Sequence, residues 1–185
     1  MRMMNRSFVP AVRGDPKAQE QMVLAATFAG VGFGNAGVHL CHGMSYPISG
    51  LNKALPHLGY VHPDYDPASP LVPHGISVVV CAPAIFKFTA SACPERHLAA
   101  AEALGADVSN AKSSADYAGN LLSDTVLRFM SELNVPLGIS KLGFKHSDID
   151  LLVKGTLPQE RVTKLSPNPI AAESLAKLFE NSLEY

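Results

Sequence analysis

Apolar residues fall at helical spacing along most of the chain. Asp15-Pro16 is a helix start, with Asp at the N-cap and Pro at the first helical position. Ala18, Met22, Ala25, Ala26 and Ala29 then recur on one face, and the glycines from Gly30 to Gly37 are expected to interrupt or kink the helix. A second helix is expected from Val38 to Ile48, with Pro47 at or near its end. Further on, Pro94–Leu104 ends at Gly105, and Ala111–Leu133 carries Leu121, Leu122, Val126, Phe129 and Met130 on one side. Ser147-Asp-Ile-Asp opens a short helix ending at Gly155, and Ala171–Leu183 closes the chain. No strand alternates, so the expected class is mainly α.

Three stretches depart from this texture. Residues 1–14 are expected to be a poorly ordered segment ahead of one helical domain over 15–185. Residues 51–73 hold Pro56, Pro63, Pro67 and Pro70, and read as a long ordered loop. Ile76–Thr89 is apolar with Val78, Val79 and Val80, and its periodicity leaves strand and buried helix open. Met22–Val38 carries no charge, but it is rich in Ala and Gly and includes Asn35, so it reads as buried core and not as a membrane span.

Composition narrows the partners. Apolar residues make up 47% of the 185 and charged residues 17%, with a formal net charge of −1. That is a globular balance with no basic patch, so neither nucleic acid nor a membrane is expected as a partner. Cys41, Cys81 and Cys93 form no CxxC pair, which suits a reducing compartment. Met1-Arg-Met-Met-Asn-Arg6 has no apolar run behind it and is read neither as a secretory signal nor as a matrix-targeting peptide.

Two patterns carry possible chemistry. Gly32-Phe-Gly-Asn-Ala-Gly37 matches GxGxxG formally, but a helix precedes it, and the region where the ribose-binding acid belongs holds Asn52, Lys53 and Pro56. Close helix packing through small residues is the preferred reading, and a dinucleotide site is rejected. The other pattern is a histidine set. His39 and His42 lie three apart, which on a helix gives them one face, with Tyr46 four residues beyond His42, and Pro73-His74-Gly75 places another imidazole at a helix-start turn. Neutral imidazoles from two such elements can converge on one divalent cation.

The letters around these histidines are more specific than their spacing. Phe33-Gly-Asn-Ala-Gly-Val-His-Leu-Cys-His-Gly-Met-Ser-Tyr-Pro-Ile-Ser-Gly50, together with Pro73-His-Gly75, resembles the signature of the iron-containing alcohol dehydrogenases. The likeness runs from about Lys17 to Tyr185. It is strongest to the branch acting on hydroxyacids and oxoacids, through His39-Leu-Cys-His42, Ser45-Tyr-Pro47, the extended loop, and Val153-Lys-Gly-Thr-Leu-Pro-Gln-Glu-Arg-Val-Thr-Lys-Leu165.

The resemblance implies the helical C-terminal domain of the dehydroquinate synthase-like fold, without the N-terminal nucleotide-binding α/β domain. It implies His42 and His74 as metal ligands for iron or zinc, and Tyr46, where many relatives have His, as a catalytic hydrogen-bonding group. In the intact parent it implies bound NAD(H), a mitochondrial matrix location, and substrates that are small hydroxyacids and oxoacids. The implied reaction oxidises 4-hydroxybutanoate to succinate semialdehyde while 2-oxoglutarate becomes 2-hydroxyglutarate. A homo-oligomer is compatible with this reading.

The family's first two metal ligands, an Asp and a His, belong to sequence before this stretch. The chain is therefore expected to hold half of a site and to be inactive alone. His39, His57, His62, Asp64 and Asp66 are candidate substitute ligands, and Lys154, Arg161 and Lys164 are candidate cations for substrate carboxylates. The alternative is a helical structural or interaction module that kept the fold and lost catalysis.

Overall fold

A computed structural model describes residues 1–66, 68–112 and 114–185. Pro67 of the expected loop and Ser113 of the expected helix over 111–133 lie outside the described residues. In chain order the α-helices are α1 (Arg2–Val12), α2 (Pro16–Ala36), α3 (Leu40–Ala54), α4 (His74–Val79) and α5 (Ala82–Thr89). They continue with α6 (Pro94–Ala103), α7 (Ala115–Glu132), α8 (Ile149–Thr156), α9 (Glu160–Thr163) and α10 (Ala172–Glu180). No strand forms among the described residues; Val61 and Leu71 make an isolated parallel bridge. The mainly α class is thus observed.

Where one domain over 15–185 is expected, the chain divides into two compact units. The first comprises Met1–Val38 and Phe86–Asn134. Its N-terminal residues are not loosely ordered, because α1 is amphipathic. Met4, Phe8 and Val9 lie one turn apart or adjacent, and they pack against Ala101, Leu104, Leu122 and Phe129. Asp15 caps α2 as its sequence requires, its carboxylate accepting the Ala18 N–H at 2.9 Å. The glycines do not break α2, which runs on to Gly37. Glycine's cost in a helix is about 1 kcal/mol per residue, which a long hydrogen-bonded helix absorbs.

Two further expectations about this helix fail. Val23 and Val31 are each 70% exposed and Phe28 is 62% exposed, so the stretch from Met22 is not buried core among the described residues. A Cβ built on Gly32 or Gly34 would meet nothing within 4 Å, so these glycines do not serve close helix packing either. Gly119 of α7 does: a Cβ there would stand 2.9 Å from the Ala90 Cβ and 3.0 Å from the Lys87 Cα.

The second unit comprises His39–Ile85 and Val135–Tyr185, and α3 is its organising element. Pro47 does not end α3, which continues to Ala54 because Ile48 and Asn52 beyond it are buried. Packing here outweighs the lost Pro47 N–H and the ring's clash with the preceding turn. Helices α4, α8 and α9 all lie against α3. The apolar run beginning at Ile76 is helical, resolving the strand-or-helix ambiguity. The expected loop over 51–73 surrenders its first residues, through Ala54, to α3. Buried Asn52 holds Tyr60 from both sides, its amide donating to the Tyr60 carbonyl at 3.1 Å and its oxygen accepting the Tyr60 N–H at 2.9 Å. The chain end is pinned by Ile139 and Ser140 N–H groups donating to the carbonyls of Ser182 and Leu183.

Candidate metal centre

His42 lies in the first turn of α3 and His74 is the first residue of α4, following Pro73 at the N-cap. Because α4 packs on α3, the two imidazoles meet: their ring centroids are 5.4 Å apart with planes at 60°. Rings that ligate one ion through bonds of ~2.0–2.1 Å have centroids roughly 5–6 Å apart, so the pair fits a shared cation. Burial, and then the neighbouring His74, lower the His42 pKa. Both effects favour neutral imidazole, the form whose nitrogen lone pair binds a metal.

His39 does not share this helical face. It is the N-cap of α3, with non-helical φ −131° and ψ −127°, and its carbonyl accepts the N–H groups of His42 and Gly43. His57 faces the buried Asp148 at 3.0 Å, while His62 stands 3.8 Å from Asp64 and edge-on to Tyr65. Among the described residues no three His, Cys, Asp or Glu side chains converge on one cation, so His39, His57, His62, Asp64 and Asp66 do not complete the pair. Cys41, beside His42, and Cys81 have thiols that burial pushes up to about 12, which keeps both protonated and inert.

Tyr46 stands one turn beyond His42 on α3. Its phenol oxygen accepts a hydrogen bond from Nη2 of Arg161 at 3.4 Å. The two are 115 residues apart in sequence, and neither spacing nor periodicity announces the contact. Gly43 makes it achievable. A Cβ at Gly43 would come within 3.2 Å of the Thr163 Cγ2 and 3.4 Å of the Val162 Cγ2, so glycine lets α9 lie close on α3 beside His42. The sequence signal for this was a glycine inside an otherwise good helix, which asks for a packing reason.

The chain matches the Fe-containing alcohol dehydrogenase family, C-terminal segment, over residues 1–61 and 67–183. The chain belongs to the Fe-containing alcohol dehydrogenase family. It is 54% identical over 186 residues to the mitochondrial hydroxyacid-oxoacid transhydrogenase of Xenopus tropicalis, covering all of this chain and 39% of that protein. The Homo sapiens protein of the same name is 53% identical over 186 residues, again with 100% of this chain and 38% of that protein covered.

Among solved structures, a 1,3-propanediol oxidoreductase superposes with a TM-score of 0.81 at 22% identity, covering 98% of this chain and 43% of its own. An alcohol dehydrogenase from Oenococcus oeni gives 0.82 at 22% identity, covering 98% and 42%. These likenesses establish the fold of the helical segment. The chain spans about two-fifths of the length of the curated relatives it matches.

Proposed function

We propose that this family member is the metal-holding, C-terminal part of a hydroxyacid–oxoacid transhydrogenase. It would oxidise 4-hydroxybutanoate to succinate semialdehyde while 2-oxoglutarate is reduced to 2-hydroxyglutarate on a nicotinamide that stays bound. The observation that carries the reading is the meeting of the His42 and His74 imidazoles, in a chain whose full-length relatives bear that enzyme's name.

His42 and His74 would hold a divalent metal, iron or zinc. Such an ion supplies Lewis-acid polarisation of a hydroxyl oxygen. The chain's own part is to present two neutral nitrogens, and the burial that lowers the His42 pKa serves that. Tyr46, one turn along α3, offers its phenol to hydrogen-bond the bound substrate, with the Arg161 guanidinium beside it. Two ligands leave a site of four half-filled, so the 185-residue stretch by itself should bind metal weakly and turn nothing over. The relatives' mitochondrial names support a mitochondrial location, and the reaction's acids suit the matrix.

The test follows the hydride. The natural-length protein, given 4-hydroxybutanoate deuterated at carbon 4 and unlabelled 2-oxoglutarate, should deliver the deuterium to carbon 2 of 2-hydroxyglutarate with no added NAD. Product formed only when free NAD is supplied, or without label, would refute transhydrogenation.

A further inference from the structure

We infer that Arg161 is the specificity-determining residue that binds the substrate's carboxylate; this deepens the hydroxyacid reading above and rests on it. A hydroxyacid has two polar ends, and the histidine pair accounts for one. The other end requires a cation within a short chain's reach of His42, on a seated segment and free of a carboxylate of its own.

Arg161 meets these conditions. Its guanidinium donates to the Tyr46 oxygen at 3.4 Å, and Tyr46 is one helical turn, ~5.4 Å of rise, beyond His42. That rise is on the scale of a four-carbon acid. The segment bearing Arg161 is seated by its neighbours: Val162 and Thr163 are buried, and both lie against Gly43. Arg161, itself exposed, lies between exposed Glu160 and buried Val162 and reaches Tyr46. Contact with one phenol uses one of five N–H donors, which leaves the fork able to take a carboxylate.

Four other cations of this unit are occupied or placed elsewhere. Lys164 is paired with Glu160, and both line a hollow of about 350 Å³ with Thr163 and Ile170 that includes none of His42, His74 and Tyr46. Lys141 pairs with Glu184 and Lys177 with Glu180. Lys53 lies in the last turn of α3, nearly two turns beyond Tyr46. Among the described residues Arg161, like Lys145 and Lys154, has no acidic partner within 4 Å, and its contact with Tyr46 sets it apart from those two.

The experiment compares 4-hydroxybutanoate with the neutral 1,4-butanediol as ligands of the metal-loaded, natural-length protein, by titration calorimetry. Arg161→Met should weaken 4-hydroxybutanoate about 10- to 100-fold, as loss of a charge-assisted pair does, while the diol's affinity stays where it was. Arg161→Lys should fall between, since it keeps the charge and loses the fork. Equal loss for both ligands, no loss for either, or a wild type that prefers the diol would overturn the assignment. Carboxylate binding that depends on Arg161 in a protein that transfers no label to 2-oxoglutarate would instead sink the transhydrogenase reading and leave Arg161's role standing.

Discussion

Asp148 shows how much one side chain can hold in this protein. It is 4% exposed, and its carboxylate accepts the Lys145 backbone N–H at 2.8 Å and faces His57 at 3.0 Å. Burial alone would raise its pKa, but the Lys145 N–H and the His57 ring outweigh that and hold it below the usual carboxylate range. A depressed folded-state pKa adds stability that is present above the unfolded value of ~3.9 and lost as pH falls through the lower folded value. Asp148→Asn should therefore cost about 1–3 kcal/mol at neutral pH, and the gap to wild type should narrow below about pH 4. Urea unfolding at the two pH values measures this, and a variant as stable as wild type at pH 7 would show the pair to be idle. The sequence marked Asp148 only as part of a helix start, and its pairing with His57 was not legible because 91 residues separate the two. His42 and His74 were legible because a long string and a separate Pro-His-Gly triplet named them together.

At the scale of elements, what could be read early was what is local. The α2 start follows from Asp15 and Pro16 alone, since capping chemistry spans a few residues. Helix ends inferred from Gly and Pro were wrong at Pro47, where tertiary packing overrode propensity, and through Gly30–Gly34, where the long hydrogen-bonded helix absorbed the glycines' cost. Pro47 is in fact a packing surface. A Cβ at Gly155 of α8 would stand 2.6 Å from the Pro47 Cβ, and a proline ring has no rotamer with which to yield. Gly155→Ala should destabilise the protein by about 1–3 kcal/mol, despite alanine's better helix propensity. Chemical denaturation would decide it: a rise in midpoint would mean that α3 and α8 are less closely packed than described.

For the whole molecule, the feature least legible in sequence is the bare flank of α2. A helix apolar nearly all round is suited to being covered on every side, and α1 covers only part of it. Val23, Phe28 and Val31 remain exposed, so the 185-residue chain in isolation should self-associate and bind a hydrophobic dye. Replacing Phe28 and Val31 by Glu should reduce both, as light scattering and dye fluorescence would report. A clean monomer without dye binding would contradict this. No single helix among the described residues is long and apolar enough to cross a membrane.

The central claim is that His42 and His74 together hold a metal, and the most direct measurement is metal content per protein. In a chain extended to the length of its curated relatives, wild type and His62→Ala should carry close to one divalent ion each. His42→Ala and His74→Ala should each lose at least about 10-fold in affinity and be recovered largely metal-free. Metal content unchanged by either substitution would contradict the account.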